Sequence, residues 1–153
     1  MTAIPPVTRE ILVAVTPARA FEAFTAQIGQ WWPGETHSLS SGICKAPPRD
    51  VIMEPRMGGA LYEIMANGER SQWGTVTDWS PPHRVAFTWH VGRPPEEHTG
   101  VAIAFAASEA GTKVTLTHSN WERLGEAAEE TRKGYSTGWI GVFDGAYADY
   151  LKA

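Results

Sequence analysis

Short stretches in which apolar and polar residues alternate cover most of the chain, a pattern typical of half-buried antiparallel strands. Residues 7–15 form the first of these stretches. Turn-forming residues separate the later ones, namely the dipeptides Asn67–Gly68 and Pro81–Pro82, and Gly111. The pattern predicts further strands over residues 51–54, 58–65, 72–79, 85–89, 101–105 and 114–119.

A short helix is predicted directly after the first strand. Thr16 suits the N-cap position, and Pro17 suits the first helical position, where its missing N–H leaves no hydrogen bond unmade. Ala20, Phe21 and Phe24 then recur at helical spacing. These three residues give the predicted helix an apolar face that must be buried.

Two adjacent tryptophans follow this helix. Gly29 is expected to interrupt the helix, so that Trp31 and Trp32 stand at a corner. Residues 34–50 show no apolar periodicity and are predicted to be a loop, which is long enough to act as a lid. The two indoles either form part of a cavity mouth under that lid or pack as core, and the sequence leaves both alternatives open.

The last part of the chain has helical periodicity from about Glu126 and is rich in glycine. Each glycine inside a helix costs about 1 kcal/mol relative to alanine. The missing side chains must therefore permit either close approach of a neighbouring backbone or deliberate empty space. The glycines lie on one line along the helix, and an apolar stripe lies roughly 130° away. The glycines are Gly134, Gly138, Gly141 and Gly145, and the stripe contains Tyr135, Trp139, Val142, Phe143, Ala146 and Tyr150.

Composition narrows the class of protein. A chain of 153 residues without a linker or internal repeat suits one domain over residues 1–153. The net charge of -4, with no basic run, argues against a nucleic-acid partner. No apolar run is long enough for membrane insertion. The single cysteine, Cys44, and the absence of a secretory signal pattern favour a cytoplasmic location.

The order of the elements is strand, helix, many strands, helix. A twisted antiparallel sheet needs a cover on its apolar face, and the C-terminal helix is the element long enough to provide it. We therefore predict an α+β fold in which a curved sheet of six or seven strands wraps around that helix. Because the helix covers only part of the curved face, a cavity between the two layers is expected.

Several short motifs, in order and with their spacing, resemble the START-like superfamily over nearly the whole chain. Within it, the chain is most similar to the bacterial branch named after the activator of the ninety-kilodalton heat-shock protein ATPase. The resemblance implies a helix-grip fold with a deep apolar cavity, and members range from lipid carriers and aromatic-polyketide cyclases to co-chaperone domains. The motifs are Val15, Thr16, Pro17 and Phe21, then Trp31, Trp32 and Pro33, Gly58 and Gly59, Trp73 and Gly74, Val76, Pro81, Pro82 and Arg84, Trp89, and Gly138 and Trp139.

Strand parity and the helical stripe identify the candidate cavity residues. His118 and Glu63 are the polar members, and we expect either a buried pair that orients a ligand or a structural histidine and a solvated carboxylate. If Val76 faces inward, Trp73 and Trp79 should face outward unless a bulge intervenes. Indoles that face outward could form a homodimer interface. The candidates are Phe24, Trp31, Trp32, Leu61, Glu63, Phe87, Trp89, Ile103, Phe105, Leu116, His118, Tyr135, Trp139, Val142 and Phe143.

Three hypotheses about function are compatible with these residues. The first is a binding protein for a small hydrophobic or aromatic ligand, held in the cavity. The second is a protein-interaction module with a chaperone partner, which the resemblance implies. The third is a cavity enzyme of cyclase or hydrolase type that needs no cofactor and uses His118 as general base. The five histidines lack the spacing of metal ligands, and Cys44 is interpreted as a surface thiol, so we expect no metal and no cofactor.

Overall fold

Seven antiparallel strands form one sheet in the order β1-β7-β6-β5-β4-β3-β2. The computed structural model describes residues 4–152. The predicted α+β helix-grip architecture is confirmed, because this curled sheet packs against a C-terminal helix. The strands are β1 (Val7–Val13), β2 (Asp50–Met53), β3 (Ala60–Ile64), β4 (Arg70–Ser80), β5 (Arg84–Trp89), β6 (Thr99–Ser108) and β7 (Gly111–Ser119).

The first helix, α1 (Pro17–Phe24), begins as predicted. Thr16 is its N-cap, and the Thr16 hydroxyl accepts a hydrogen bond from the backbone N–H of Arg19 at 3.2 Å. The helix ends earlier than expected, at Thr25, whose hydroxyl donates to the carbonyl of Phe21. Gly29 does not interrupt it, since that residue lies within a separate short helix, α2 (Ile28–Trp31).

The predicted loop over residues 34–50 contains a third helix, α3 (Leu39–Ile43). Ser38 is its N-cap, and the Ser38 hydroxyl accepts a hydrogen bond from the N–H of Ser41 at 3.1 Å. Helices of one turn carry little periodicity, which is why the apolar pattern did not reveal this one.

The C-terminal helix is continuous over residues 128–152 and changes pitch in its middle. It consists of α4 (Ala128–Trp139), a π-helical segment (Ile140–Tyr147) and α5 (Ala148–Lys152). The wider π turn aligns residues four apart, so the second half buries Tyr147 and Leu151. The sequence predicts Ala146 and Tyr150 for the buried stripe instead, but both are only partly buried. A regular 100° helical wheel misses this shift.

Within residues 4–152, no helix has the length and apolar character that crossing a membrane requires.

The glycines of this helix do not serve close packing. A Cβ atom built on Gly134, Gly138 or Gly141 would meet no other atom within 4 Å, and one on Gly145 would reach only the carbonyl of Ile140 at 3.7 Å. Close approach of a neighbouring backbone is therefore wrong as an explanation. Gly134 and Gly141 are exposed to solvent, whereas Gly138 lines a cavity, so unfilled space between the layers accounts for Gly138 alone of these three.

Trp73 and Trp79 both turn toward the interior, which corrects the expected outward orientation. The register of β4 shifts against β3 next to Trp73 and against β5 next to Thr77. Each bulge adds one residue and reverses the parity of the strand positions after it. Trp73 is fully buried, and the ring of Trp79 packs edge-on against Phe21 at 5.1 Å. These indoles therefore do not form the exposed patch on which the suggested homodimer interface was based.

His118 is a buried structural histidine with both ring nitrogens engaged. The indole N–H of Trp139 can only donate, so His118 Nδ1 accepts it at 3.0 Å. Nε2 then carries the hydrogen and donates to the Thr99 hydroxyl at 2.7 Å, which donates in turn to the carbonyl of Trp89 at 3.2 Å. The Trp121 ring lies against the imidazole at 4.0 Å between centroids. Burial lowers the pKa of His118 to about 3, so the ring is neutral near neutral pH, and with a low pKa and both nitrogens engaged it is a poor proton acceptor.

Glu63 is also fully buried, but it does not pair with His118 as suggested. Its carboxylate accepts three hydrogen bonds: from Trp73 Nε1 at 2.9 Å, from the backbone N–H of Leu39 at 2.8 Å and from that of Ser40 at 3.1 Å. Hydrogen bonds to the charged form can compensate for burial of a carboxylate. Glu63 thus ties the start of α3 to the sheet and to a buried indole.

We expect the stability of the protein to fall on acidification through His118. Below pH 6.5 the unfolded chain binds a proton at this position, whereas the folded chain stays neutral down to about pH 3, so protonation favours unfolding within this window. Between pH 7 and pH 5, the wild type should lose about 2 kcal/mol more free energy of unfolding than a His118→Gln variant. Urea denaturation at both pH values measures this difference. The exposed His83, changed to Gln, is the control and should keep the wild-type dependence; equal losses in all three proteins would contradict the assignment.

We expect Glu63→Gln to destabilise the protein by about 2–3 kcal/mol, because one amide oxygen cannot replace a carboxylate that accepts three N–H groups. Urea denaturation gives the global effect. Hydrogen exchange should also become faster at the amides of Leu39 and Ser40. Glu54→Gln is the matched control, since its carboxylate accepts a single backbone hydrogen bond, from Ala60 at 2.7 Å. If both variants lose the same stability and exchange at Leu39 is unchanged, Glu63 does not anchor α3.

Candidate functional site

An apolar cavity of about 160 Å³ lies between α4 and the ends of β4 and β5, on the side where α3 begins. Its lining comes from three parts of the chain: the segment between α2 and α3, the two strands with the residues that follow β5, and one face of the C-terminal helix. The lining residues are Trp32, His37, Ser38, Leu39, Trp73, Trp89, Val91, Tyr135, Gly138, Trp139 and Val142.

Four indoles in mutual contact form one side of this partly open cavity, and even the diagonal pair, Trp32 and Trp89, has ring centroids only 6.0 Å apart. The ring centroids of Trp32 and Trp73 are 5.0 Å apart, those of Trp73 and Trp89 5.6 Å, and those of Trp89 and Trp139 5.5 Å. Trp139 returns to Trp32 at 6.1 Å. We refer to these four residues as the indole wall. Tilted and edge-on contacts at such distances are favourable for aromatic pairs.

Each member of the indole wall donates its N–H to a protein acceptor. Trp32 donates to the carbonyl of His37 at 2.7 Å, and Trp89 donates to the Tyr135 hydroxyl at 2.8 Å. Trp73 and Trp139 donate to Glu63 and His118, respectively. These hydrogen bonds fix the orientation of all four rings. The rings therefore cannot rotate into the open volume without leaving a buried donor unpaired.

The rim of the cavity is the segment that was predicted as a lid. His37, Ser38 and Leu39 lie there, just before and within α3. The Ser38 hydroxyl donates to the carbonyl of Gly34 at 2.6 Å, and Glu63 holds the N–H of Leu39. The rim is thus bonded in place, and movement as a lid stays a prediction.

A second, more polar cavity of about 220 Å³ adjoins the first, and Trp89, Val91 and Tyr135 line both. Arg93 lines it and donates to Glu97 at 3.0 Å and to the Thr131 hydroxyl at 3.4 Å. The remaining lining residues are His90, Glu97, Thr99, Trp121, Leu124 and Thr131.

Tyr135 lies at the boundary of the two cavities. Burial raises the pKa of its phenol, and this outweighs the opposite effects of the hydrogen bond from Trp89 and of the positive charge on Arg93. The hydroxyl therefore keeps its hydrogen at neutral pH.

Five of the fifteen candidate residues line the first cavity, namely Trp32, Trp89, Tyr135, Trp139 and Val142. For the two adjacent tryptophans the sequence leaves open a place at the cavity or in the core, and each alternative holds for one of them. Trp32 lines the cavity, whereas Trp31 packs in the core and donates to the carbonyl of Ala23 at 2.7 Å. The structure places the other nine in the interior away from this lining: Phe24, Leu61, Glu63, Phe87, Ile103, Phe105, Leu116, His118 and Phe143.

Sequence reasoning missed several lining residues. Trp73 does not follow strand parity, because a bulge lies beside it in β4. Leu39 lies in α3, within the segment that the sequence predicts as loop. Gly138 did have a signal, since its helical spacing with other glycines indicated empty space. Across residues 4–152, no three His, Cys, Asp or Glu side chains come together as a metal site.

Solved structures support the fold. The chain is similar to the anthrahydroquino-gamma-pyrone synthase Txn09, a structure complexed with SUM, with 28% identity and a TM-score of 0.65 over 96% of this chain and 97% of that one. It is also similar to protein MLL2253 of Mesorhizobium loti, with 15% identity and a TM-score of 0.68 over 96% of each chain. DynU16, from the dynemicin biosynthetic locus, has 18% identity and a TM-score of 0.67 over 98% of this chain and 48% of that one.

No curated protein is significantly similar in sequence. The family model described as "Activator of Hsp90 ATPase homolog 1-like protein" matches residues 14–145, which include all of the sheet except β1, and most of the C-terminal helix. The chain therefore belongs to the family of Activator of Hsp90 ATPase homolog 1-like proteins, within the START-like superfamily that its motifs resemble.

Proposed function

We propose that this protein binds a small aromatic molecule in the cavity that the indole wall lines. The observation that carries the proposal is the wall itself: four indoles, each held by a hydrogen bond, form one side of about 160 Å³ of unfilled and largely apolar space. A partly open, mostly apolar cavity with a few polar groups is the usual form of a small-molecule site.

The cavity volume limits what can be enclosed. An engineered apolar cavity of about 150 Å³ is known to accept benzene. A volume of about 160 Å³ therefore suits one aromatic ring or a compact bicyclic group. A larger ligand would place one ring inside and extend past His37 and Leu39, or toward the second cavity.

Apolar burial alone gives only modest affinity. A ring that buries about 200 Å² gains about 5 kcal/mol before the costs of association are subtracted. A dissociation constant of about 1 μM requires about 8 kcal/mol. A ligand of micromolar affinity therefore needs additional contacts, at the rim or at a polar group of the lining.

The similarity to Txn09 supports an aromatic ligand and also favours a second candidate function. That relative is a synthase of an anthrahydroquino-gamma-pyrone, and its identity to this chain is 28%. By analogy, the cavity could hold an aromatic precursor while a ring closes, as in the cyclase hypothesis. His118 would not be the base in such a reaction, since both of its nitrogens are engaged and burial makes the imidazole a weak base.

A chaperone partner, which the family name suggests, stays a prediction. Its surface would lie outside the cavity, so cavity-filling variants would leave it intact. Chaperone capture by a variant that no longer binds aromatic compounds would therefore separate the two hypotheses.

We expect Gly138→Leu to abolish aromatic binding. A side chain at Gly138 points into the cavity and meets no other atom at its Cβ, so leucine should fill the space without displacing the helix. Toluene is the probe, and a titration followed on the indole N–H signals of a ¹H–¹⁵N spectrum measures binding. In the wild type, the signals of the indole wall should shift with saturation, while that of Trp79 stays in place. In Gly138→Leu the affinity should fall at least tenfold.

Gly134→Leu is the matched control. It places the same residue on the same helix, one turn earlier and exposed to solvent, with equally open surroundings at Cβ. This variant should bind toluene like the wild type. Equal binding by both leucine variants, or uniform shifts of all indole signals, would contradict the proposed site.

A further inference from the structure

We propose that the aromatic ligand carries a carbonyl oxygen and that the hydroxyl of Tyr135 donates a hydrogen bond to it. This inference rests on the proposed function and adds to it both the chemical class of the ligand, a neutral aryl ketone, quinone or pyrone, and the residue that selects for it. It follows from accounting for every indole and hydroxyl hydrogen around the first cavity.

Nearly all of these hydrogens are already donated to protein acceptors. The four indoles of the wall donate to His37, Glu63, Tyr135 and His118, and the Ser38 hydroxyl donates to Gly34. Tyr135 differs from them, because its oxygen accepts the hydrogen of Trp89 Nε1 at 2.8 Å. Among residues 4–152, no protein acceptor takes the hydrogen of the Tyr135 hydroxyl itself. Among the described residues, the lining therefore has one hydroxyl donor without a protein acceptor, that of Tyr135, and its other polar side chains, His37 and Ser38, lie at the rim.

The surroundings make Tyr135 a good donor. Its burial keeps the phenol protonated at neutral pH. The hydrogen bond that the oxygen receives from Trp89 polarises the O–H group and strengthens the bond that it donates. Trp89 and Tyr135 both line the two cavities. A ligand whose oxygen reaches Tyr135 would keep its ring against the indole wall.

The charges nearby favour a neutral acceptor over an anion. Arg93, the cation that lines the second cavity, is already paired with Glu97 at 3.0 Å. A carboxylate ligand would have to compete with Glu97 for the guanidinium and would lie close to that negative charge. A ligand that donates a hydrogen bond gains less at this place, because the phenol oxygen already accepts from Trp89. A carbonyl oxygen meets neither obstacle.

Two bicyclic probes of nearly equal shape test the inference. 1-Indanone carries a carbonyl group on its ring system, and indane is the same skeleton without the oxygen. Dissociation constants of both are measured by calorimetry for the wild type, Tyr135→Phe and Tyr150→Phe. Tyr150 lies on the same helix, and its hydroxyl bonds to Gln27 and Gln30 away from the cavity, which makes it the matched control.

We expect Tyr135→Phe to weaken 1-indanone binding about tenfold and to change indane binding by less than about twofold, as befits loss of one hydrogen bond. Tyr150→Phe should leave both constants unchanged. If both probes bind the wild type and Tyr135→Phe affects them equally, the inference is overturned while the proposed function stands. If neither probe binds the wild type, the proposed function itself fails.

Tyr135→Phe also leaves Trp89 Nε1 without its acceptor, so a second measurement avoids the variant. Infrared difference spectra of 1-indanone bound to the wild type report directly on its carbonyl group. The C=O stretching band should lie at lower wavenumber than in cyclohexane, because a donated hydrogen bond weakens the carbonyl bond. A band at the cyclohexane position would show a carbonyl without a donor and would overturn the inference even if Tyr135→Phe failed to fold.

Discussion

The hydrogen bond that each indole of the wall donates is the interaction on which the interior of this protein depends. An indole has one donor and no acceptor, and a buried donor without a partner costs about 1–3 kcal/mol. Trp32, Trp73, Trp89 and Trp139 each find a protein acceptor, so the orientation of each ring beside the cavity is fixed. Collapse of the wall would break these bonds. Fixed rings therefore explain how the volume between sheet and helix stays open.

Two buried ionisable side chains, His118 and Glu63, serve as acceptors for these indoles. His118 accepts from Trp139 and Glu63 accepts from Trp73, and neither side chain lines the first cavity. Polar residues on an inward face are commonly interpreted as ligand contacts, yet here they stand one layer behind the wall and orient it. The group left to meet a ligand is the Tyr135 hydroxyl, whose oxygen holds Trp89 and whose hydrogen is not used by the described residues.

The sequence could predict the fold because its main signals are local. Alternation gives the strands, Thr16 and Pro17 give the start of α1, and the glycine spacing in the last helix indicates unfilled space at Gly138. The rest depends on backbone irregularities that alternation does not encode. The bulge beside Trp73 turns that indole inward, and the π-helical segment buries Tyr147 where a regular helix would bury Ala146. Two partners of Glu63 are backbone N–H groups more than twenty residues away in the chain. Local patterns therefore find the core but fewer than half of the residues that line the cavity.

A preformed apolar cavity behind the indole wall is the central claim, and xenon tests it most directly. Xenon is apolar and enters empty apolar cavities without needing a specific ligand. In crystals of the ligand-free protein held under xenon pressure, the account predicts a xenon atom in the cavity that the indole wall, Val91 and Gly138 line, with the indole rings in the same positions as without the gas. Side chains that fill this volume, or a hydrogen-bonded chain of ordered waters there with no xenon bound, would contradict it.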